Sequence, residues 1–554
     1  MRLIPFLICI FTFGLSVTAQ DVEQIKLRAP ITFSGSLSAN AGLSSISAGT
    51  ADQTSPYFYS LNTRFSLSWN ELRVPFYFSF RDHSFNYGAT APRFRINPKY
   101  KWAELQVGDV FMNFNKYTLS QRNMKGVGIK LTPGKFRFQA LYGKMKELKS
   151  YRDTLLLGIS DEEVFSNKVF GLGLGVGSNS SHLDLYILKS WTDIDSLHFS
   201  NPSLPRQDNV VVGSTGKVRL SRGLRVQYNV GISALTFDKD AIGNSRVVAE
   251  NGFTGSLLEV NNSTGANYAG DVSINYSRGK YGVNGKISYI QPFYQPLTVA
   301  YINSDVLNYT VGSFVSLLSN KVYVNGSVGI QKNNVSGVDL LTTNRIIFNL
   351  MANAKVHENL TANLAVNNFS QDLQAQLINI DDLYTYAISN KMRTLTLTHT
   401  LPSDERSFMN RVSVGTNNLT TSNDNENVST GYDMLFFRWD GSMKMEPIGL
   451  AVNAGINYQT YDRDGTDNSN YGMTLGASKV LLAEKLTLKL NNTFNYIDQG
   501  DYREGTNLVS SFSANYAAAE KSNILLTVFR IDRKSAGSFN FTEYRSRLSF
   551  QQRF

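Results

Sequence analysis

The chain has 554 residues, 42% of them hydrophobic and 12% aromatic, with 54 Lys and Arg against 44 Asp and Glu, for a formal net charge of +10. A pI near 9.3 and a mean hydropathy of −0.21 match a soluble basic protein, but the basic residues gather in no patch or motif, which argues against a nucleic-acid partner. Cys9 is the only cysteine, so disulfides are excluded, and no stretch supplies the roughly 20 apolar residues of a spanning helix.

The first residues read as an export signal. Arg2 is followed by an apolar run from Leu3 to Val17, and the small residues Val17 and Ala19 are spaced for cleavage after Ala19. Phe6-Leu7-Ile8 ahead of Cys9 is no lipobox. Residues 1–19 are therefore expected to be a signal peptide, 20–30 a periplasmic leader, and 31–554 one domain. Export without a helical anchor leaves a soluble secreted protein or a membrane β-barrel, and the average hydropathy suits a barrel because half of each strand faces water.

From Ile31 the chain alternates. Ile31, Phe33, Leu37, Ala39, Ala41 and Leu43 interleave with Thr32, Ser34, Ser36, Ser38 and Asn40, a period of two that gives a strand one apolar and one polar face. Tyr57 to Trp69 repeats the pattern, a tight turn falls at Asn70-Glu71, and Leu72 to Phe80 repeats it again. Short turns continue at Gly108-Asp109, Pro133-Gly134, Ser178 to Ser181, Ser221-Arg222, Arg278 to Lys280, Ser319-Asn320, His357-Glu358, Pro402 to Glu405, Met445-Glu446, Leu482-Ala483 and Ala518-Ala519. Longer polar connections lie between them, among them Asp193 to Asp208, Asp238 to Ala266, Ser370 to Lys391, Thr420 to Gly431 and Asp462 to Asn470. Short turns alternating with long loops are the asymmetry of an outer-membrane barrel. About 12 hairpins with the first and last strands give about 26 strands, within a range of 22 to 26. Periodicity is poorest from Tyr100 to Leu119, where the Gly108-Asp109 hairpin has an alternative, a segment folded into the lumen.

The stretch Lys116 to Lys146, KYTLSQRNMKGVGIKLTPGKFRFQALYGKMK, resembles a segment of large outer-membrane barrels of Bacteroidota-type bacteria, whose pattern has Ser-Gly where this chain has Ser120-Gln121. The resemblance implies the barrel class and no activity. At the end of the chain, Tyr544, Leu548, Phe550 and Phe554 fall on one face of a strand, and Arg545, Arg547, Gln551 and Arg553 on the other. A terminal Phe behind alternating apolar residues resembles the signature that addresses Gram-negative barrels to the assembly machinery. That last strand is expected to pair with Ile31 to Ser44, since closure removes every unpaired edge. The fold expected is all-β, a transmembrane antiparallel up-and-down barrel with short periplasmic turns and long extracellular loops. A propeller or solenoid would repeat residues at a fixed period, and a string of sandwiches would show linkers every hundred residues or so. Neither pattern is present.

Parity places ten cations on the water face beside the short turns: Arg64, Arg73, Arg137, Lys217, Arg219, Arg225, Lys485, Lys489, Arg545 and Arg547. Inward acids are fewer, Glu104 and Asp184 being the clearest. A basic lumen in the periplasmic half favours anions or docks an acidic partner segment, against the plainer reading of a hydrated polar wall. In Gln371 to Ser389, apolar residues at spacings of three and four suggest a short amphipathic helix, a plug or a cap. Asp462, Asp464 and Asp467 resemble a calcium loop without its spacing. The five histidines make no metal motif, and no catalytic motif or cofactor signature is found. Two functions follow: a channel or translocation pore, or a non-enzymatic barrel subunit whose lumen is filled by a periplasmic or lipoprotein partner. Both imply outer-membrane lipids as surroundings.

Overall fold

The computed structural model describes residues 31–47, 57–83, 92–148, 164–192, 205–242, 257–375, 384–423, 428–463, 466–498, 504–535 and 540–554. The expected signal peptide, residues 1–19, and the expected leader, residues 20–30, lie outside them. The described residues form 27 strand segments and no helix. Two of the segments, β4 (Arg93–Ile96) and β5 (Lys99–Tyr100), are halves of one strand. Both lie between β3 (Leu72–His83) and β6 (Ala103–Val110), and they part at Asn97-Pro98, where proline has no N–H to give the ladder. The sheet therefore has 26 staves, each antiparallel to its neighbours in chain order. It closes where β1 (Thr32–Ile46) pairs with β27 (Phe541–Arg553), from Ser36 opposite Arg553 to Ile46 opposite Glu543. The fold is a closed antiparallel β-barrel.

Alternation sets the two faces. In β2 (Tyr57–Trp69), Leu67 is 46% exposed on the outside while Ser66 is 7% exposed on the inside. Phe170, Leu174, Leu185, Ile232, Ile274, Val311, Leu395, Leu475 and Leu490 continue the outer apolar belt around the barrel. On a soluble protein so continuous a patch would drive aggregation, and in a bilayer it is the matched surface.

Three expectations are corrected. Gly108-Asp109 is not a turn, because both residues belong to β6; the chain reverses at Lys101-Trp102, with Lys101 at a φ of 47°. Gly108 takes its turn-like φ of 97° within the strand instead, where a Cβ would stand 2.3 Å from the Phe94 carbonyl oxygen. One hairpin replaces the other, so the strand count is unaffected. Several connections expected to be long are strand: β20 (Arg406–Asn423) and β21 (Val428–Met445) run to either side of 424–427, and β22 (Leu450–Arg463) and β23 (Thr466–Leu481) flank 464–465. The expected helix over Gln371 to Ser389 is also strand wherever it is described, since β18 (Leu360–Ala375) pairs Leu373 with Tyr386 of β19 (Tyr384–Leu401). Residues 376–383 lie outside the described residues.

Two connections at the end opposite the short turns fold back into the barrel. Residues 111–123 join β6 to β7 (Met124–Leu131), and 291–305 join β14 (Tyr281–Ile290) to β15 (Val306–Leu317). Met112, Phe114 and Leu119 pack with Met124, Leu141, Val169, Tyr186, Leu188 and Val211 of the inner wall, and Phe114 stacks on Tyr186 at 5.1 Å between ring centroids. Tyr117 and Tyr294 meet edge to face at 6.4 Å, and the Tyr294 hydroxyl donates to the Tyr117 carbonyl at 2.7 Å. Ser120 bridges to Val299, so the two segments brace one another. Gly213 and Gly231, opposite each other on neighbouring staves, open the trench they occupy: a Cβ on Gly213 would lie 2.2 Å from Thr118 Cγ2, and one on Gly231 2.8 Å from Tyr117 Cβ. Among the described residues, every buried hydrophobic side chain falls between Val110 and Val306. Among the described residues the core is a lumenal lining along one arc, and the remaining arc is a single-layer wall.

Candidate functional site on the lumenal wall

The ten cations expected to line the lumen do not form one group. Arg137 is neutralised. Its Nε and a terminal nitrogen donate to the two oxygens of Asp184 at 2.7 and 3.0 Å, while the Tyr186 hydroxyl donates to the same carboxylate at 3.2 Å. Arg545 is likewise paired with the buried Glu543. It lies opposite Ser44, toward the long-connection end rather than the short-turn half expected for it. Arg547 donates to Asn40 Oδ1 at 2.8 Å and Lys217 to the Asn179 carbonyl at 3.2 Å. Arg219 and Arg225 face each other across the Leu220 to Gly223 turn, Lys485 sits in the turn before β24 (Leu486–Asp498), and Lys489 lies opposite Ser478.

Arg64 and Arg73 behave differently, because the register brings them to three arginines that parity alone had not grouped. A single row runs across the seam: Arg553 opposite Ser36, Ser36 opposite Arg64, Arg64 opposite Tyr77, and Tyr77 opposite Arg95. All five residues have inward parity. The Arg64 and Arg95 guanidinium carbons stand 5.5 and 5.7 Å from the centroid of the Tyr77 ring between them. That geometry gains cation–π attraction while holding two like charges at fixed positions. Arg93, opposite Ser79, lies one inward position beyond Arg95, and Arg73 is held by its Nε donating to Ser66 Oγ at 3.0 Å. Together they line a cavity of about 720 Å³ on the inner wall, which Phe111 and Asn123 at the roots of the in-folded segment also line. Its one carboxylate, Asp109, accepts from the Phe94 backbone N–H. Among the described residues none of the five arginines is in an ion pair.

A second charged group fastens the in-folded segment. Asp271, 4% exposed, accepts from the Tyr117 hydroxyl at 2.8 Å and from Asn229 at 3.1 Å, with Lys116 and Lys286 at 3.8 and 3.7 Å. Burial, and after it the charge of Asp271, pushes the Tyr117 hydroxyl well above the ordinary tyrosine range, so it stays a neutral donor. Burial alone does the same to Tyr294. These contacts act as a latch rather than a reactive site. Among the described residues no three His, Cys, Asp or Glu side chains converge on a metal position. Asp462 and Asp467 oppose each other in the ladder, and Asp464 is outside the described residues.

No protein-family model and no curated protein matches the chain. Among solved structures it is similar to the P pilus usher translocation pore PapC, at 10% identity over 94% of this chain and 98% of that one with a TM-score of 0.25. It is similar also to OccK11 (OpdR) of Pseudomonas aeruginosa, at 10% identity over 94% and 96% with a TM-score of 0.31. The FrpB iron transporter of Neisseria meningitidis aligns at 8% identity over 97% and 83% with a TM-score of 0.36. Likenesses of this strength carry no argument about function. The barrel class rests on the chain's own closed hydrogen-bond register.

Proposed function

We propose that the chain is a non-enzymatic outer-membrane channel or translocation pore, exported by residues 1–19 and inserted by the barrel assembly machinery. The outer apolar belt supports the location. The pore reading is carried by one observation, the confinement of all buried hydrophobic side chains among the described residues to 110–306. Twenty-six staves about 4.8 Å apart and tilted about 40° give a perimeter of roughly 160 Å, or roughly 50 Å across for a circular section. Sixteen to 18 strands already leave a water-filled channel, so a lining along one arc narrows such a lumen without filling it. Basic side chains at its wall bias the passage toward anions. The Lys116 to Lys146 resemblance extends this reading to a Bacteroidota-type barrel.

The perimeter also favours a second reading, because an open hole of that size breaches the membrane barrier. There the barrel is a structural subunit, and an acidic periplasmic or lipoprotein partner occupies the lumen. Single-channel recording on purified protein separates the two. Stable large conductance with anion preference is expected of the pore. A silent, monodisperse barrel that co-purifies with a stoichiometric partner refutes the pore and supports the filled barrel.

A further inference from the structure

We propose that the arginine row Arg553, Arg64 and Arg95, flanked by Arg93 and Arg73, is a binding site for oligomeric oxyanions, solutes carrying several phosphate or carboxylate groups along a short chain. The proposal rests on the pore reading only in treating the lumenal wall as reachable by solutes.

The spacing carries the argument. Arg553 and Arg64 stand two staves apart with the small Ser36 between them, and Arg64 and Arg95 two staves apart with Tyr77 between them. At about 4.8 Å per stave the row offers cations about 10 Å apart over about 20 Å of wall. One small anion touches one or two of these groups, whereas a chain of anionic units engages the whole row and shares one loss of translational freedom among several ion pairs. The residue type points the same way. A guanidinium presents a planar fork of N–H donors that fits the two oxygens of a carboxylate or phosphate, and five forks on one surface select oxyanions over halides.

Uncommitted charge distinguishes this cluster from the ion-paired lumenal arginines. Arg137 and Arg545 have already spent their charge on Asp184 and Glu543. In the row, Tyr77 fixes two guanidinium groups and the Ser66 hydroxyl fixes the Arg73 side chain, leaving donors free without an acid to displace. The sole carboxylate of the cavity, Asp109, is engaged by backbone. A lipid headgroup is disfavoured as occupant because every arginine of the row has lumenal parity.

The test is titration calorimetry on the purified full-length barrel in detergent micelles at low salt, with inorganic phosphate, tripolyphosphate and tetragalacturonate as probes. The oligomeric probes are expected to bind at least about tenfold more tightly than monomeric phosphate, with the tighter of the two telling a phosphate source from a uronate source. Arg64→Gln/Arg95→Gln is expected to lose at least about tenfold of that affinity, and Arg64→Lys/Arg95→Lys, which keeps charge and fold but removes the fork, to lose an intermediate amount. Arg219→Gln/Arg225→Gln at the rim serves as the control and is expected to leave affinity within about twofold. Equal affinity for monomer and oligomer, or equal losses in the row and rim variants, overturns the site. So does an acidic protein that co-purifies with the barrel and is released by the row variant while the small probes bind nowhere. Because binding is read without current, a barrel that binds and does not conduct retains the site and refutes the pore, and one that conducts without binding does the reverse.

Discussion

The finest consequences of this barrel lie in single side chains whose neighbours differ between its two faces. Leu490 is 49% exposed on the outer surface and Asn491 points to the lumen. Leu490→Arg is expected to lower stability by about 2–4 kcal/mol if it sits near the membrane midplane, while Asn491→Arg stays close to neutral, as read by urea midpoints of the heat-modifiable form. Equal midpoints for the two variants contradict the assigned faces. Tyr117→Phe leaves the buried Asp271 short of one donor and is expected to weaken the latch by about 1–3 kcal/mol. The latch also has a pH signature. Since the folded hydroxyl titrates above its ordinary value, its contribution is fully present below the unfolded pKa of about 10 and is lost as pH rises through the higher folded value. Proteolysis of the in-folded segment is therefore expected to be flat from pH 6 to about 9.5 and to accelerate only above about 10, and acceleration near neutrality removes Tyr117 from that role. At this scale the sequence was a good guide to which face a residue takes, because each face meets a different solvent. It was silent on partners, since nothing in the spacing of Arg137 and Asp184 says that they meet.

Whole elements were legible wherever alternation was clean and misread wherever a local signal served a different purpose. Gly108-Asp109 has the composition of a turn, and the positive φ it promises is used inside a strand, where the glycine passes close to the Phe94 carbonyl. Of the apolar residues at helical spacing in Gln371 to Ser389, Leu373 and Tyr386 sit opposite each other in a ladder, where pairing between neighbouring staves outweighs a weak local helix propensity. The in-folded segment 111–123 was expected only as an alternative. Its signal is the pair of inward glycines, Gly213 and Gly231, about a hundred residues downstream. Gly213→Val is expected to evict Thr118 and leave the barrel closed, which limited proteolysis reads as faster cleavage within 111–123 at unchanged heat-modifiability. Unchanged cleavage of that segment contradicts the packing described for it. At the closing seam, the Phe554 N–H donates to the Gly35 carbonyl at 3.0 Å, and its ring packs 5.7 Å from Phe33 and 5.8 Å from Phe65. Phe554→Ala is expected to cost about 0.5–1.5 kcal/mol for each aromatic pair and to reduce the fraction of chains that reach the membrane-embedded form. Wild-type yield of that form contradicts a role in assembly.

At the scale of the molecule, the arginine row could not be read in advance, because Arg553 and Arg64 are joined only by the register of a seam between the two ends of the sheet. The strand number was legible, since it follows from counting turns. The uneven lining has a mechanical consequence. Where the in-folded segments lie against the wall, the barrel is two layers thick and behaves as a stiff rib. Elsewhere, among the described residues, it is a thin shell whose resistance to bending comes from the hydrogen-bond ladder. Lateral pressure from the bilayer does its work on the softer part, so fluctuations in the outline of the barrel should concentrate in the staves that run from Val322 through the seam to His83, with the ribbed arc serving as their fixed abutment.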